Sequence, residues 1–151
     1  MMLNKYIFFF WSPILFNIFS FVVVYGNLER LQFFWKYLPL KNPSLTKFND
    51  TALHFAAGKG MTEIVRFMTL NLDDHNPESS VSSGVLGRGR TPIQLAASQG
   101  HLDSVKILSI QKNLDDPRNN RAGETPLDLA RIGNHGEVVD FLLMPPPQMK
   151  H

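Results

Sequence analysis

From Thr51 to Leu143 the chain repeats one hydrophobic and polar design. Three stretches begin alike: "TALHFAAGKGM" at Thr51, "TPIQLAASQGH" at Thr91 and "TPLDLARIGNH" at Thr125. Each runs into a second apolar stretch, "TEIVRFM", "LDSVKIL" or "GEVVDFL". Within these, Ile64/Val65 precede Phe67/Met68, Val105 precedes Ile107/Leu108, and Val138/Val139 precede Phe141/Leu142. That spacing lays apolar side chains on one face of a helix. Each unit therefore predicts two short helices joined by a tight turn, with one apolar side that only a neighbouring unit can cover.

Local chemistry agrees with this division. Thr51, Thr91 and Thr125 suit a helix N-cap, where a hydroxyl accepts a free backbone N–H. Pro92 and Pro126 follow at the first helical position, where the missing donor costs nothing. Thr91 with Gln94 fits a reciprocal capping box. Ala56, Ala57, Ala96, Ala97 and Ala130 keep the first helix thin. Gly60 and Gly100 end it in a left-handed turn, and Asn134 takes that place in the third copy. The starts lie 40 and 34 residues apart, and the surplus falls in "DDHNPESSVSSGVLGRGR", between Asp73 and Arg90, which reads as an enlarged loop.

These segments resemble ankyrin repeats, whose signature begins T-P-L-H-x-A-A and continues with Gly-His and an Ile-Val pair. The resemblance covers roughly Leu45 to Met144 in three copies held in register. Departures are Ala52 and Met61 in copy one, Gln94 and Ser104 in copy two, and Asp128, Arg131 and Asn134 in copy three. The resemblance implies an all-α solenoid of stacked helix–turn–helix units with β-turn finger loops. It also implies protein recognition by a non-catalytic scaffold.

The register extends backwards. Gly26 stands 34 residues before Gly60, so "GNLERLQFF" aligns with "GMTEIVRFM". Asn27 to about Leu38 is then the second helix of an earlier repeat, with Leu31 in the place of Val65. The first helix of that repeat should occupy "NIFSFVVVY", but Val22 and Val23 stand where small alanines belong. Residues 6–25 carry no charge and most of the 12 Phe precede Asn49. Three origins compete for this segment: a membrane span, since about 20 apolar residues cross a bilayer; an export signal, which lacks a small-x-small cleavage site before Gly26; or translated non-coding sequence joined to a half repeat. The expected organisation is an apolar segment at 1–25 and a repeat domain at 26–144, followed by a Pro-rich tail at 145–151. The repeat domain divides into a half repeat at 26–44 and repeats at 45–78, 86–118 and 119–144, with the enlarged loop at 73–90. Arg131, in place of the second small Ala, suits an outer face in water, and "PPPQMKH" cannot continue a helix. The array is expected to end there.

Composition removes several classes of function. The 151 residues hold 15 Lys plus Arg against 13 Asp plus Glu, a net charge of +2, too weak by itself to imply nucleic acid. There is no cysteine, so disulfides, thiol nucleophiles and thiolate metal sites are excluded. His101 and His135 occupy one motif position in successive copies. Helices pack about 8–10 Å apart, too far for the two rings to share a metal that needs ligands near 2 Å. His54 is expected to hydrogen-bond near its cap, as the resemblance implies. Asp73/Asp74 and Asp115/Asp116 follow second helices beside turn residues, and turn chemistry accounts for them. No phosphate loop, zinc spacing or nucleophile elbow is present. The expectation is no enzyme activity, no cofactor and no metal.

The resemblance places a binding face on the finger tips and the ends of the first helices. Those positions are Lys47, Phe48, Asp50 and Lys59 in copy one; Arg88, Arg90, Ser98 and Gln99 in copy two; and Arg121, Ala122, Glu124 and Ile132 in copy three. Asn49, Gly89 and Gly123 hold the finger turns. The set carries five positive and two negative charges and one aromatic, Phe48. It favours an acidic protein segment. The chain is expected to be a monomer in the cytoplasm. The alternative is an anchored protein with cytoplasmic repeats, since Arg30, Lys36 and Lys41 outweigh Lys5 across the apolar segment. The sequon "NDT" at Asn49 falls in a finger turn, a poor place for a glycan, which also argues for the cytoplasm.

Overall fold

The computed structural model describes residues 25–36, 51–71, 89–110 and 123–144. Seven helices lie among them: α1 (Leu28–Trp35), α2 (Ala52–Gly58), α3 (Thr62–Asn71), α4 (Pro92–Ser98), α5 (Leu102–Ser109), α6 (Pro126–Ile132) and α7 (Gly136–Leu143). The first helices α2, α4 and α6 pack side by side in one row. The second helices α1, α3, α5 and α7 form a parallel row, each touching its neighbours. This is an all-α stack of helix pairs. Among the described residues no helix is long and apolar enough to cross a membrane. The segment 1–24, on which the span, the signal and the non-coding reading rest, lies outside them, as do the enlarged loop up to Arg88 and the tail.

Small side chains set the spacing of the first row. Ala56, Ala57, Ala96, Ala97 and Ala130 are all completely buried, so neighbouring backbones approach without a side chain between them. The second row supplies the larger core groups: Val65, Met68, Val105 and Val138 are fully enclosed and Leu108 nearly so. Fully burying such aliphatic groups stabilises the fold by about 1.5–3 kcal/mol each. Arg131 replaces the second Ala of the motif and is exposed, as its charge requires.

The turn after each first helix is the same backbone motif three times. Met61, His101 and His135 donate their N–H to the carbonyls of Ala56, Ala96 and Ala130, each at 2.9 Å. Gly60 (φ +68°), Gly100 (φ +77°) and Asn134 (φ +57°) take the left-handed residue that this closure demands. Gly26 shares it, with φ +69°. Its neighbour across the stack is Met61, whose Sδ lies 3.8 Å from where a Gly26 Cβ would sit. Met61 fills the motif's His position, so the backward register is a matter of contact as well as alignment. Beyond this turn, Leu31 is fully buried, and Trp35 meets Phe67 edge to face with ring centroids 5.2 Å apart. Such a pair adds about 0.5–1.5 kcal/mol beyond its buried area. The helix α1 lies within the stretch expected to be helical, Asn27 to about Leu38, and rests on α3; residues 37 and 38 lie outside the described residues.

Candidate partner-recognition surface

Each first helix starts from a threonine whose backbone N–H is held by the residue three positions on. His54 Nδ1 accepts from Thr51 N–H at 3.0 Å and lies 2.9 Å from the Thr51 hydroxyl. Gln94 Oε1 accepts from Thr91 N–H at 3.0 Å, while Thr91 Oγ1 accepts from Gln94 N–H at 3.4 Å. Asp128 Oδ2 accepts from Thr125 N–H at 3.0 Å and from its hydroxyl at 2.7 Å. Three chemically different side chains thus close the same box. Asp128 is held below the usual carboxylate range, first by the Thr125 backbone N–H, then by the Thr125 hydroxyl, with help from Arg131 and against the cost of burial.

Other bonds run from one repeat to the next and fix the fingers against each other. Gln94 Nε2 donates to the Glu124 carbonyl at 3.0 Å, tying α4 to the finger ahead of α6. His101 Nε2 donates to Gly58 O at 3.2 Å, and His135 Nε2 donates to Ser98 O at 3.0 Å. The two imidazoles expected to be structural therefore pin each turn to the end of the preceding first helix. Their rings lie across Gly60 and Gly100, where a Cβ would stand 2.5 Å from Nδ1. No cluster of three or more His, Cys, Asp or Glu suited to a metal exists among the described residues.

The expected binding residues divide into three groups. Lys47, Phe48, Asp50, Arg88, Arg121 and Ala122 lie outside the described residues. Lys59, Gln99 and Ile132 are exposed at the ends of the adjacent helices α2, α4 and α6, and Ile132 keeps 67% of its surface in contact with solvent. Ser98 is half-buried, its hydroxyl bonded to the Leu95 carbonyl at 2.9 Å.

Arg90 and Glu124 form the third group. Their side chains pair across neighbouring fingers at 3.8 Å and are only 22% and 24% exposed. Gly89 and Gly123, at φ +69° and +68°, shape the turns beside them. Neither charge stands alone on the surface: part of the expected positive excess is matched within the protein.

The sequence reading missed one further feature. Leu70, Ile110 and Met144 are 79%, 79% and 64% exposed at the ends of the second helices or just beyond. They recur with the same 40- and 34-residue steps as Thr51, Thr91 and Thr125. Comparing the copies at that position would have revealed them.

A family model described as ankyrin repeats in three copies matches residues 19–113 and again 70–150, together most of the chain. Ankyrin repeat domain-containing protein 63 of Mus musculus is 41% identical over 56 residues, which is 37% of this chain and 14% of that protein. The ankyrin repeat-containing protein ITN1 of Arabidopsis thaliana is 29% identical over 113 residues, 64% of this chain and 19% of that one. The oxysterol-binding protein homolog 2 of Saccharomyces cerevisiae is 26% identical over 117 residues, 70% of this chain and 9% of the relative. The chain thus spans less than a fifth of each of these three curated relatives.

Proposed function

The chain belongs to the ankyrin-repeat family, and from that premise we propose that it is a non-catalytic scaffold binding a partner protein on its finger and first-helix face. Ankyrin repeats generally mediate protein–protein interaction, and the family is typically non-catalytic. The observation that carries the reading is the exposure of Lys59, Gln99 and Ile132 at the ends of three helices packed side by side. They offer one cation, one amide and one apolar side chain along a single rigid edge. Fixed elements lower the ordering cost that association must overcome. The partner is a segment with acidic groups for Lys59, Arg88 and Arg121 and an apolar residue for Ile132. Arg90 is not counted among the recognition charges, because Glu124 already engages it. The scaffold acts as a monomer in the cytoplasm.

The test is capture of partners from a cell extract, their identification, and measurement of purified pairs. Lys59→Glu, Arg88→Glu, Arg121→Glu and Ile132→Asp combined should weaken binding at least tenfold with an unchanged circular dichroism spectrum. Undiminished affinity in the folded variant removes this face from consideration. For location, a glycosidase-sensitive mobility shift that disappears in Asn49→Gln would put the repeats in the secretory lumen and overturn the cytoplasmic assignment.

A further inference from the structure

The second helices carry an exposed apolar strip on the row opposite the finger face. Leu70 lies in the last turn of α3, and Ile110 and Met144 stand at the C-caps of α5 and α7. All three are exposed. Met144 N–H still donates to the Phe141 carbonyl at 3.2 Å, which keeps that residue beside the last turn of α7. Three positions earlier, on the same side of each helix, Phe67, Ile107 and Phe141 lie half-buried against the core. Each second helix thus presents an apolar pair, and the pairs stand side by side because α3, α5 and α7 pack in one row. Four positions before each exposed apolar residue is an exposed charge: Arg66, Lys106 and Asp140. The strip is therefore flanked along one side by two cations and then an anion.

We infer that this strip is a second docking surface, independent of the finger face, whose occupant is an amphipathic α-helix of another protein. The helix lies along the stack with its apolar face on Leu70, Ile110 and Met144. One flank carries acids toward Arg66 and Lys106 and a base toward Asp140.

The spacing selects a helix. Neighbouring helices pack about 8–10 Å apart, so the apolar pairs recur at about that interval. Seven residues of an α-helix rise about 10.5 Å in two turns and return to the same face. A strand covers the step in about three residues, which turns every second anchor away from the surface. Charge decides between protein and lipid. Helices α3, α5 and α7 carry Glu63, Asp103, Glu137 and Asp140 against only Arg66 and Lys106, so the row does not draw an anionic membrane. Arg66 lies 3.9 Å from Glu63 and Lys106 lies 3.8 Å from Asp103, with all four side chains well exposed. Such surface pairs hold their cations weakly, and both remain able to meet an acidic flank. Helix α7 has two acids and no base at the matching positions, so the charge order fixes the direction in which the helix lies.

The test titrates the labelled full chain with a synthetic amphipathic peptide of about 21 residues. It carries leucines at heptad spacing, glutamates on one flank and lysines at the end of that flank. One control peptide has the same composition with its leucines scattered round the helix; the other has the flanking charges reversed. Methyl shifts should gather at Leu70, Ile110 and Met144, with binding about tenfold tighter than to either control. Ile110→Asp should abolish it. Arg66→Glu combined with Lys106→Glu should reverse the preference between the two charge patterns, a response that poor folding does not produce. Lys59→Glu combined with Ile132→Asp should leave peptide binding unchanged, so the strip and the finger face stand or fall separately. Shifts elsewhere, equal binding of the scattered peptide, or a charge preference that ignores the double reversal overturns the inference. So does binding to phosphatidylserine vesicles without binding of the peptide, or self-association that Ile110→Asp abolishes, which would give the strip to a membrane or to a second copy.

Discussion

Placing a methyl group on Gly100 should be among the most damaging single-atom changes available to this chain. Gly100 holds φ at +77°, a conformation that costs an L-residue about 1–2 kcal/mol. The added Cβ would stand 2.5 Å from His135 Nδ1 and 2.8 Å from its Cγ, closer than real contacts allow. The imidazole must swing away, and its 3.0 Å bond to Ser98 O breaks with it. One such bond contributes about 0.5–1.5 kcal/mol net. Gly100→Ala should therefore lower unfolding stability by about 2–3 kcal/mol.

Gly136→Ala is the control. It starts α7 with nothing within 4 Å of the new methyl, and restricting the unfolded chain should raise stability by about 0.4–1 kcal/mol. Urea melts of both variants measure the contrast, and a double-mutant cycle with His135→Ala isolates the clash. With the ring gone, Gly100→Ala should cost only its backbone strain, so the two changes should be non-additive by about 1 kcal/mol or more. Equal stability of the two glycine variants, or strict additivity in the cycle, would refute the claim that the imidazole bridges neighbouring repeats across this glycine.

Other perturbations read separate parts of the stack. Leu108→Ala, at a core position 5% exposed, should cost about 2–5 kcal/mol in urea, whereas Ser98→Ala should stay within about 0.5 kcal/mol. Ser104 is fully buried, and its Oγ has no hydrogen-bond partner among the described residues; Ser104→Ala should leave stability unchanged or raise it by up to about 1 kcal/mol, and a loss above about 1 kcal/mol would mean the hydroxyl is bonded. Asp128 has its folded value depressed, so its contribution is complete above the unfolded value near 3.9 and is lost as pH falls through the folded one. Asp128→Asn should flatten that part of the stability profile between about pH 4 and 2, measured by thermal melts.

The local turns were legible because each depends on a residue type that few others replace. Glycine or asparagine marks the left-handed residue at 26, 60, 100 and 134, and threonine marks the cap at 51, 91 and 125. Alanine runs showed which helix must be thin, and the register alone placed Leu31 in the core. Contacts between repeats were less visible. Arg90 and Glu124 sit at corresponding finger positions, and only the stacking geometry brings them to 3.8 Å. Read singly, both looked like surface charges open to a partner. The reach of Gln94 to the Glu124 carbonyl also depends on the neighbouring copy. Of the candidate face, only the exposure of its helix ends was legible. The ends of the first helices are exposed as the motif implies, while Phe48, Arg88 and Arg121 lie outside the described residues.

The recognition face is tested most directly by titrating the labelled chain with its purified partner and following backbone amide shifts. Perturbations should concentrate at Lys59, Gln99 and Ile132 and leave the exposed edges of α3, α5 and α7 unchanged. Perturbations gathered instead around Leu70, Ile110 and Met144, with the first-helix ends silent, would contradict the account and move recognition to the opposite row.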